Sequence, residues 1–251
     1  MLKTEGIVLK EMRFKDTDKI LNIYTRKYGK ISAMAKGAYK PKSQFISNTQ
    51  PFSHNEYQLY KGKSFYYLQQ ADILDSFYSI RENMDRVIYG YYILELADKS
   101  IPDEEENERL FMLLEKGIRI LSELDKEYLK FIIAYELKFI SFLGYKPYID
   151  RCVICNNTRL NKMKFSIKEG GIICEDCFSI DSYARFLNKE MYQAMHSLLY
   201  IPLEKTSEII ASEDTIYRLH QMLVEYILNS IDRKRFNSLN LMDSLDESDR
   251  V

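Results

Sequence analysis

Up to about residue 78, apolar and polar positions alternate over short distances. The runs "TEGIVLK", "KILNIYTR", "KISAMAKG", "HNEYQLYKG" and "SFYYLQQADIL" are rich in β-branched and aromatic residues, and Gly29, Pro41, Pro51 and Gly62 punctuate them. Such runs between turn residues predict strands. Five short strands fit a sandwich or a small barrel. The OB-fold is the five-stranded Greek-key barrel that grips single strands of nucleic acid.

From about residue 79 the period lengthens to that of helices, in "ENMDRVIYGYYILELADKS", "ENERLFMLLEKGIRILSEL" and residues 126–143. In the last segment Leu129, Ile132, Ile133, Leu137 and Ile140 recur at helical spacing, which predicts a core helix. Lys130, Glu136 and Lys138 interrupt it, so it does not predict a membrane span. Ser100 and Pro102 predict a helix start, and Asp125 is a candidate N-cap. Further helices are expected over about 188–200, 204–210 and 213–231. The expected class is α+β: an OB barrel over 1–78, then an all-α domain over 79–238 with a four-cysteine ribbon inserted at 150–180. A disordered acidic tail is expected over 239–251.

All four cysteines stand in two close pairs, Cys152 and Cys155 in "CVIC" and Cys174 and Cys177 in "CEDC". The opening "MLKTEGIVLKEMRFKD" is charged from its third residue and has no apolar run long enough for a signal sequence. A reducing cytosol is therefore expected, where structural disulfides are rare. A thioredoxin-like site needs one CxxC, not two facing each other. The spacing C-x2-C, eighteen residues, C-x2-C is that of a zinc ribbon, and four thiolates suit tetrahedral Zn2+. Four protein ligands fill the shell, so one structural Zn2+ is expected and no open catalytic position. The alternative is a ribbon that folds without metal. The insert "KMKFSIKEGGIIC" predicts a hairpin turning at Gly170–Gly171.

Net charge is -1, but its distribution is uneven. Between residues 10 and 42 stand ten basic residues (Lys10, Arg13, Lys15, Lys19, Arg26, Lys27, Lys30, Lys36, Lys40 and Lys42) against three acidic ones, Glu11, Asp16 and Asp18. Acids gather instead in "DEEENE" (103–108) and "MDSLDESD". This asymmetry points to one end of the molecule meeting a polyanion; the plainer alternative is a solvated lysine surface. Among aromatics, Tyr24 is expected in the core, whereas Tyr39 sits within the basic loop "AKGAYKPKS". The chain has three histidines, His54, His196 and His220, far apart in sequence. "GKS" at 62–64 lacks the earlier glycine of a phosphate loop, since Tyr57 is there, and a hairpin turn explains Gly62 better. No catalytic residue is assigned.

The run "GIVLKEMRFKDTDKILNIYTRKYGKISAMAKGAYKPKS" resembles the opening of the bacterial RecO family. Gly6 to Leu9 match its first strand, Asp16 to Lys19 an acid-x-Asp-Lys turn, Thr25 to Lys30 a T-x-x-x-G-K strand pair, and Ala35 to Ser43 an A-K-G loop ending in serine. "FISFLGYKPYIDRCVICN" is similar to the family's approach to its metal knuckle. At the other end "DRKRFNSLN" keeps only the basic character of the family's closing segment. The resemblance implies a non-enzymatic DNA repair and recombination mediator of the cytoplasm, associated with the nucleoid. It would bind single- and double-stranded DNA and anneal complementary strands without ATP. It would also engage RecR and the C-terminal tail of the single-stranded-DNA-binding protein (SSB), and help load RecA. Under that expectation the DNA-binding candidates are Arg13, Lys15, Arg26, Lys27, Lys30, Lys36, Tyr39, Lys40 and Lys42. The loop bearing Lys36, Lys40 and Lys42 is expected to project from the barrel. Two rivals are an unrelated RNA-binding protein of barrel and ribbon, and a nuclease with an unfamiliar site.

Overall fold

The computed structural model describes residues 1–242. The strands are β1 (Leu2–Phe14), β2 (Asp18–Thr25), β3 (Gly29–Ala35), β4 (His54–Lys61) and β5 (Tyr66–Asp75). They close a barrel in the order β1-β2-β3-β5-β4, with β4 returning to β1 and β3 running parallel to β5. This is the five-stranded OB barrel that the alternation predicts. Closure leaves no free sheet edge. The interior is filled from alternate positions, among them Val8, Leu21, Ile23, Ile31, Ala33, Tyr57, Leu59 and Leu68. Gly62 makes the β4–β5 turn, its N–H donating to the Phe65 carbonyl at 2.9 Å.

In β1 the run Gly6-Ile7-Val8-Leu9 is buried throughout, because this strand is covered on both faces. The outer cover is helical. Helices α1 (Met84–Ser100) and α2 (Glu108–Glu123) follow the barrel. Tyr24 is fully buried, as expected, but it lies against Phe111 of α2 at 6.0 Å rather than inside the barrel. Asn22 of β2 donates to Asp98 of α1 at 2.8 Å. Ser100 ends α1 and does not start a helix; α2 starts at Asn107, whose side chain accepts the Leu110 N–H. The acidic segment leading into α2 competes for the interval between them, and only Asn107 offers a short acceptor at the right offset.

By compactness the chain falls into two units, one comprising Met1–Leu124 and the stretch from Phe236, the other Asp125–Arg235. The change from strand to helix near 78 is thus not a boundary in packing, because α1 and α2 cover the outer face of the barrel. The return at 236 has a polar clasp. Glu95 of α1 accepts from the N–H groups of Asn237 (2.9 Å) and Ser238 (2.7 Å), and Lys99 pairs with it at 2.6 Å. Burial works against this carboxylate, but Lys99, Ser238 and Asn237 outweigh it and pull its pKa down to about 2. Phe236 packs edge-on against Tyr92 at 5.6 Å. Of the tail expected over 239–251, residues 239–242 form a helical turn; the rest lies outside the described residues.

The second unit holds α3 (Tyr128–Phe142), α4 (Lys189–Tyr200) and α5 (Glu213–Ser230), with a 3-10 turn at Leu203–Glu208 in place of the helix expected there. Asp125 does not cap α3; Glu127, in the left-handed region at φ 60°, precedes its first turn. Between α3 and α4 lies a three-stranded antiparallel sheet of β6 (Met163–Ser166), β7 (Gly171–Cys174) and β8 (Arg185–Leu187), in the order β7-β6-β8. The hairpin expected at Gly170–Gly171 is present, whereas the three-residue β8 is too short to carry an alternation signal. Among the described residues no helix is long and apolar enough to cross a membrane.

One glycine is held in place by a long-range contact. Gly29 has φ +64°, and a Cβ there would stand 2.3 Å from the carbonyl oxygen of Glu105. Gly29→Ala should therefore destabilise the first unit by about 2 kcal/mol or more, from the left-handed backbone and the clash together. Urea denaturation checks this; an unchanged midpoint would mean that residues 103–105 readily move aside.

Candidate nucleic-acid interface and metal centre

Topology divides the basic stretch. The β1–β2 turn (15–17) and the segment leaving β3 at Lys36 lie at one end of the barrel, since Lys19 pairs with Ala35 across the β2–β3 ladder. The β2–β3 turn (26–28) lies at the other end. Asp18 binds the two segments of the first end together. Its carboxylate accepts the Gly37 N–H at 2.8 Å, and Thr17 gives its carbonyl to the Tyr39 N–H at 2.8 Å. The Gly37 N–H lowers the Asp18 pKa most, with Thr17, Lys15 and Lys36 adding to it. The loop therefore does not project. Ala38 and Phe45 belong to the barrel core, so the loop is laid across the barrel end and anchored on both sides of Lys40.

Six sequence candidates meet at this end: Arg13, Lys15, Lys36, Tyr39, Lys40 and Lys42. All six are exposed, and among the described residues none of the five cations is in an ion pair. Arg13 and Lys19 stand over the Tyr39 ring, at 5.5 and 4.8 Å. Lys19 itself is not surface charge: its side chain is buried and paired with Glu11.

The other three candidates are elsewhere. Arg26 donates to Glu108 at 2.9 Å and meets Glu5 at 3.4 Å. Lys30, mostly buried, pairs with Asp103 at 3.4 Å and donates to the Asp98 carbonyl. Lys61 pairs with Glu104 at 2.9 Å. Lys27 is exposed on the same turn. The acids of 103–108 are thus the internal partners of that end, a pairing across about eighty residues of chain that composition alone does not reveal. Exposed salt bridges of this kind add little stability, but they cancel positive potential where they sit.

The cysteines also assemble. The sulfurs of Cys152, Cys155, Cys174 and Cys177 all lie within 4.8 Å of one another, with no disulfide between them. Cys155 and Cys174 are 3.6 Å apart. Four thiolates about 2.3 Å from a central ion would be about 3.8 Å apart, so the cluster has the dimensions of a four-sulfur metal site. Two tight turns present the ligands. Asn156, at φ 61°, closes the first by donating its N–H to the Cys152 carbonyl at 2.9 Å, and Val153 is tied to Ile172 of β7 at 2.8 Å. Cys174 ends β7, and a 3-10 turn carries Cys177. Burial works against the Cys152 thiolate, but the N–H groups of Cys155, Cys174 and Ile154 outweigh it and bring its pKa down to about 6. Burial raises Cys174 and Cys177, and the sulfurs of Cys155 and Cys152 raise both further. Four sulfurs this close cannot all ionise without a cation among them, so the donor set fits a metal ion.

Each histidine has its own neighbours. His54 is buried against Phe111, and burial lowers its pKa. His220 is buried in α5 and meets Glu136 of α3 at 3.3 Å. His196 is exposed, 3.7 Å from Asp150.

Comparison with known proteins matches the chain in two parts that meet near residue 78 rather than at the boundary of the compact units. The family model described as "Recombination protein O N terminal" matches residues 1–77, and "Recombination protein O C terminal" matches residues 81–240. A DNA repair protein RecO of Alkaliphilus metalliredigens is 36% identical over 241 residues, covering 96% of this chain and 98% of its own. Those of Bacillus pumilus and Clostridium perfringens are 32% and 31% identical, each covering 98% of this chain and 96% and 99% of their own. The chain, an OB barrel with covering helices and a cluster of four cysteines that could hold a metal ion, belongs to the RecO family of DNA repair proteins.

Proposed function

We propose that the chain is a non-enzymatic recombination mediator that binds single- and double-stranded DNA at the barrel end carrying Arg13, Lys15, Lys36, Tyr39, Lys40 and Lys42, and anneals complementary strands without ATP. The observation that supports this most is the asymmetry of the barrel. One end gathers five cations that form no salt bridge among the described residues, Asp18 being the acid nearest two of them, while the other end is neutralised by residues 103–108. Two DNA strands repel each other, and a basic surface that holds both lowers the barrier by displacing counterions. Lysine and arginine supply this without base contacts, so the activity is independent of sequence. Arg26, Lys27 and Lys30, first counted with the DNA surface, have at most a minor part in this reading. RecR, the SSB tail and RecA loading are the partners and outcome that family membership suggests, with the SSB tail docking on the helical part of the chain. The four cysteines hold one structural Zn2+, whose tetrahedral shell of sulfur leaves no position for water.

A strand-annealing assay on SSB-coated DNA tests this. Annealing should proceed at the same rate with and without ATP and magnesium, because no phosphate cradle is present among the motifs of the sequence. Clear stimulation of the purified chain by ATP, or magnesium-dependent loss of the substrate strands, would replace this reading with an enzymatic one.

A further inference from the structure

Beside the basic loop, and sharing Tyr39 and Lys40 with it, lies a cleft of about 440 Å³. It is lined by residues of the barrel, the loop and α1, all within the first compact unit. At its bottom is Phe52, 1% exposed, held at φ 73°, a left-handed conformation that is an outlier for a bulky side chain. Its ring lies edge-on to Tyr91 at 5.2 Å and closes over Gly90, where a Cβ would stand 2.7 Å from it. At the mouth are Tyr39, Tyr91 and Ile46, each about two-fifths exposed. Large apolar side chains left open around a cavity mark a place for a ligand.

The charges of the cleft narrow the ligand. Glu11 is occupied by Lys19. Arg81 donates to the backbone carbonyls of Ser76 and Pro51, at 2.9 and 2.7 Å, and among the described residues is in no salt bridge, so it remains a fixed positive charge, with Glu11 of the cleft wall its acidic neighbour. Lys40 belongs both to the cleft and to the loop cations. A ligand that fits has a flat apolar body and negative charge beside it.

We infer that this cleft seats one unpaired base of single-stranded DNA while its flanking phosphates rest on Lys40 and Arg81. The inference rests on the DNA-binding reading above and deepens it. Bases inside a duplex have their faces stacked and reach such a cleft only by flipping out, at considerable cost. Single strands are therefore held by base and phosphate, and finished duplex by phosphate alone. Pairing with a complementary strand withdraws the base from the cleft, which loosens the product.

The test is fluorescence anisotropy with the full chain, comparing oligothymidine with an abasic strand of equal length and charge. The abasic strand should bind roughly tenfold more weakly, the loss of a stacked base. Ile46→Trp, which fills the exposed mouth, should bring oligothymidine down to the abasic affinity. Its melting temperature, salt slope and duplex affinity should be those of the original chain. If that variant melts early, Tyr91→Leu keeps an apolar mouth, removes a ring face, and should give the same pattern. Equal binding of the two strands by the unaltered chain, with a steep salt slope, would overturn the base pocket and leave the phosphate surface standing. Binding without salt dependence would remove the surface and the pocket together. A short acidic peptide with an apolar end that binds in a way blocked by Ile46→Trp, while the two strands bind alike, would assign the cleft to a protein partner instead and overturn the inference.

Discussion

Cys155→Ser should abolish metal binding as completely as Cys174→Ser, although one cysteine is exposed and the other is buried. If the cysteines served as packing, only the buried one would be sensitive, since serine at an exposed site changes little. If they are ligands, both substitutions leave three sulfurs where four are needed. Metal binding is folding free energy for a site of this kind, on the order of 10 kcal/mol in small zinc domains, comparable with the whole stability of a domain. Each variant should therefore contain no stoichiometric zinc, expose the ribbon to protease, and melt at least several degrees lower. Elemental analysis of protein purified without chelator, with limited proteolysis and a thermal melt, checks this. One zinc per chain in the unaltered protein and none in either variant is the expected result. A stable Cys155→Ser chain that still carries its metal would limit the site to three ligands, and a metal-free original of full stability would remove the centre.

Replacing Lys36, Lys40 and Lys42 together by glutamate should flatten the salt dependence of single-strand binding by about two units, at about 0.7 per lost phosphate contact. Affinity at moderate salt should fall at least roughly tenfold, equally for all sequences, and annealing should fall with it. Folding should survive for a reason other than the one the sequence suggests. The loop is not a free projection, because Ala38 and Phe45 are in the barrel core and Asp18 holds Gly37, but the three lysine side chains themselves are exposed. Lys27→Glu, at the neutralised end, is the internal control and should change binding little. Anisotropy over several salt concentrations, with a melt for each variant, separates the cases. An unchanged slope in a folded triple variant would leave this barrel end as an ordinary solvated surface.

These expectations show which parts of the molecule are legible in one dimension. Strands β1 to β5 and helices α2 and α5 are carried by local periodicity, and the four-cysteine cluster by spacing, because its sulfurs sit in two turns of a few residues each. The division of the basic stretch was not legible. Arg26, Lys30 and Lys40 look alike along the sequence, and what distinguishes them is an acidic segment about seventy residues further on. Lys19 carries no mark of its burial, because its partner Glu11 lies opposite only once β1 and β2 have paired. Nor could Arg81 be singled out, since its place beside the cleft depends on the carbonyls of Pro51 and Ser76. Residues whose role rests on contacts between distant segments become visible only in three dimensions.

The clasp at Glu95 has a consequence for how the protein is made. Its partners Asn237 and Ser238 are synthesised after the whole of Asp125–Arg235. On the ribosome, the barrel, α1 and α2 can collapse early, since domains fold as they emerge. The face of α1 around Tyr92 and Glu95 must then wait, uncovered, while residues 125–235 are translated. The first unit to begin folding is thus the last to finish, and its closing step is contributed by residues that follow the second.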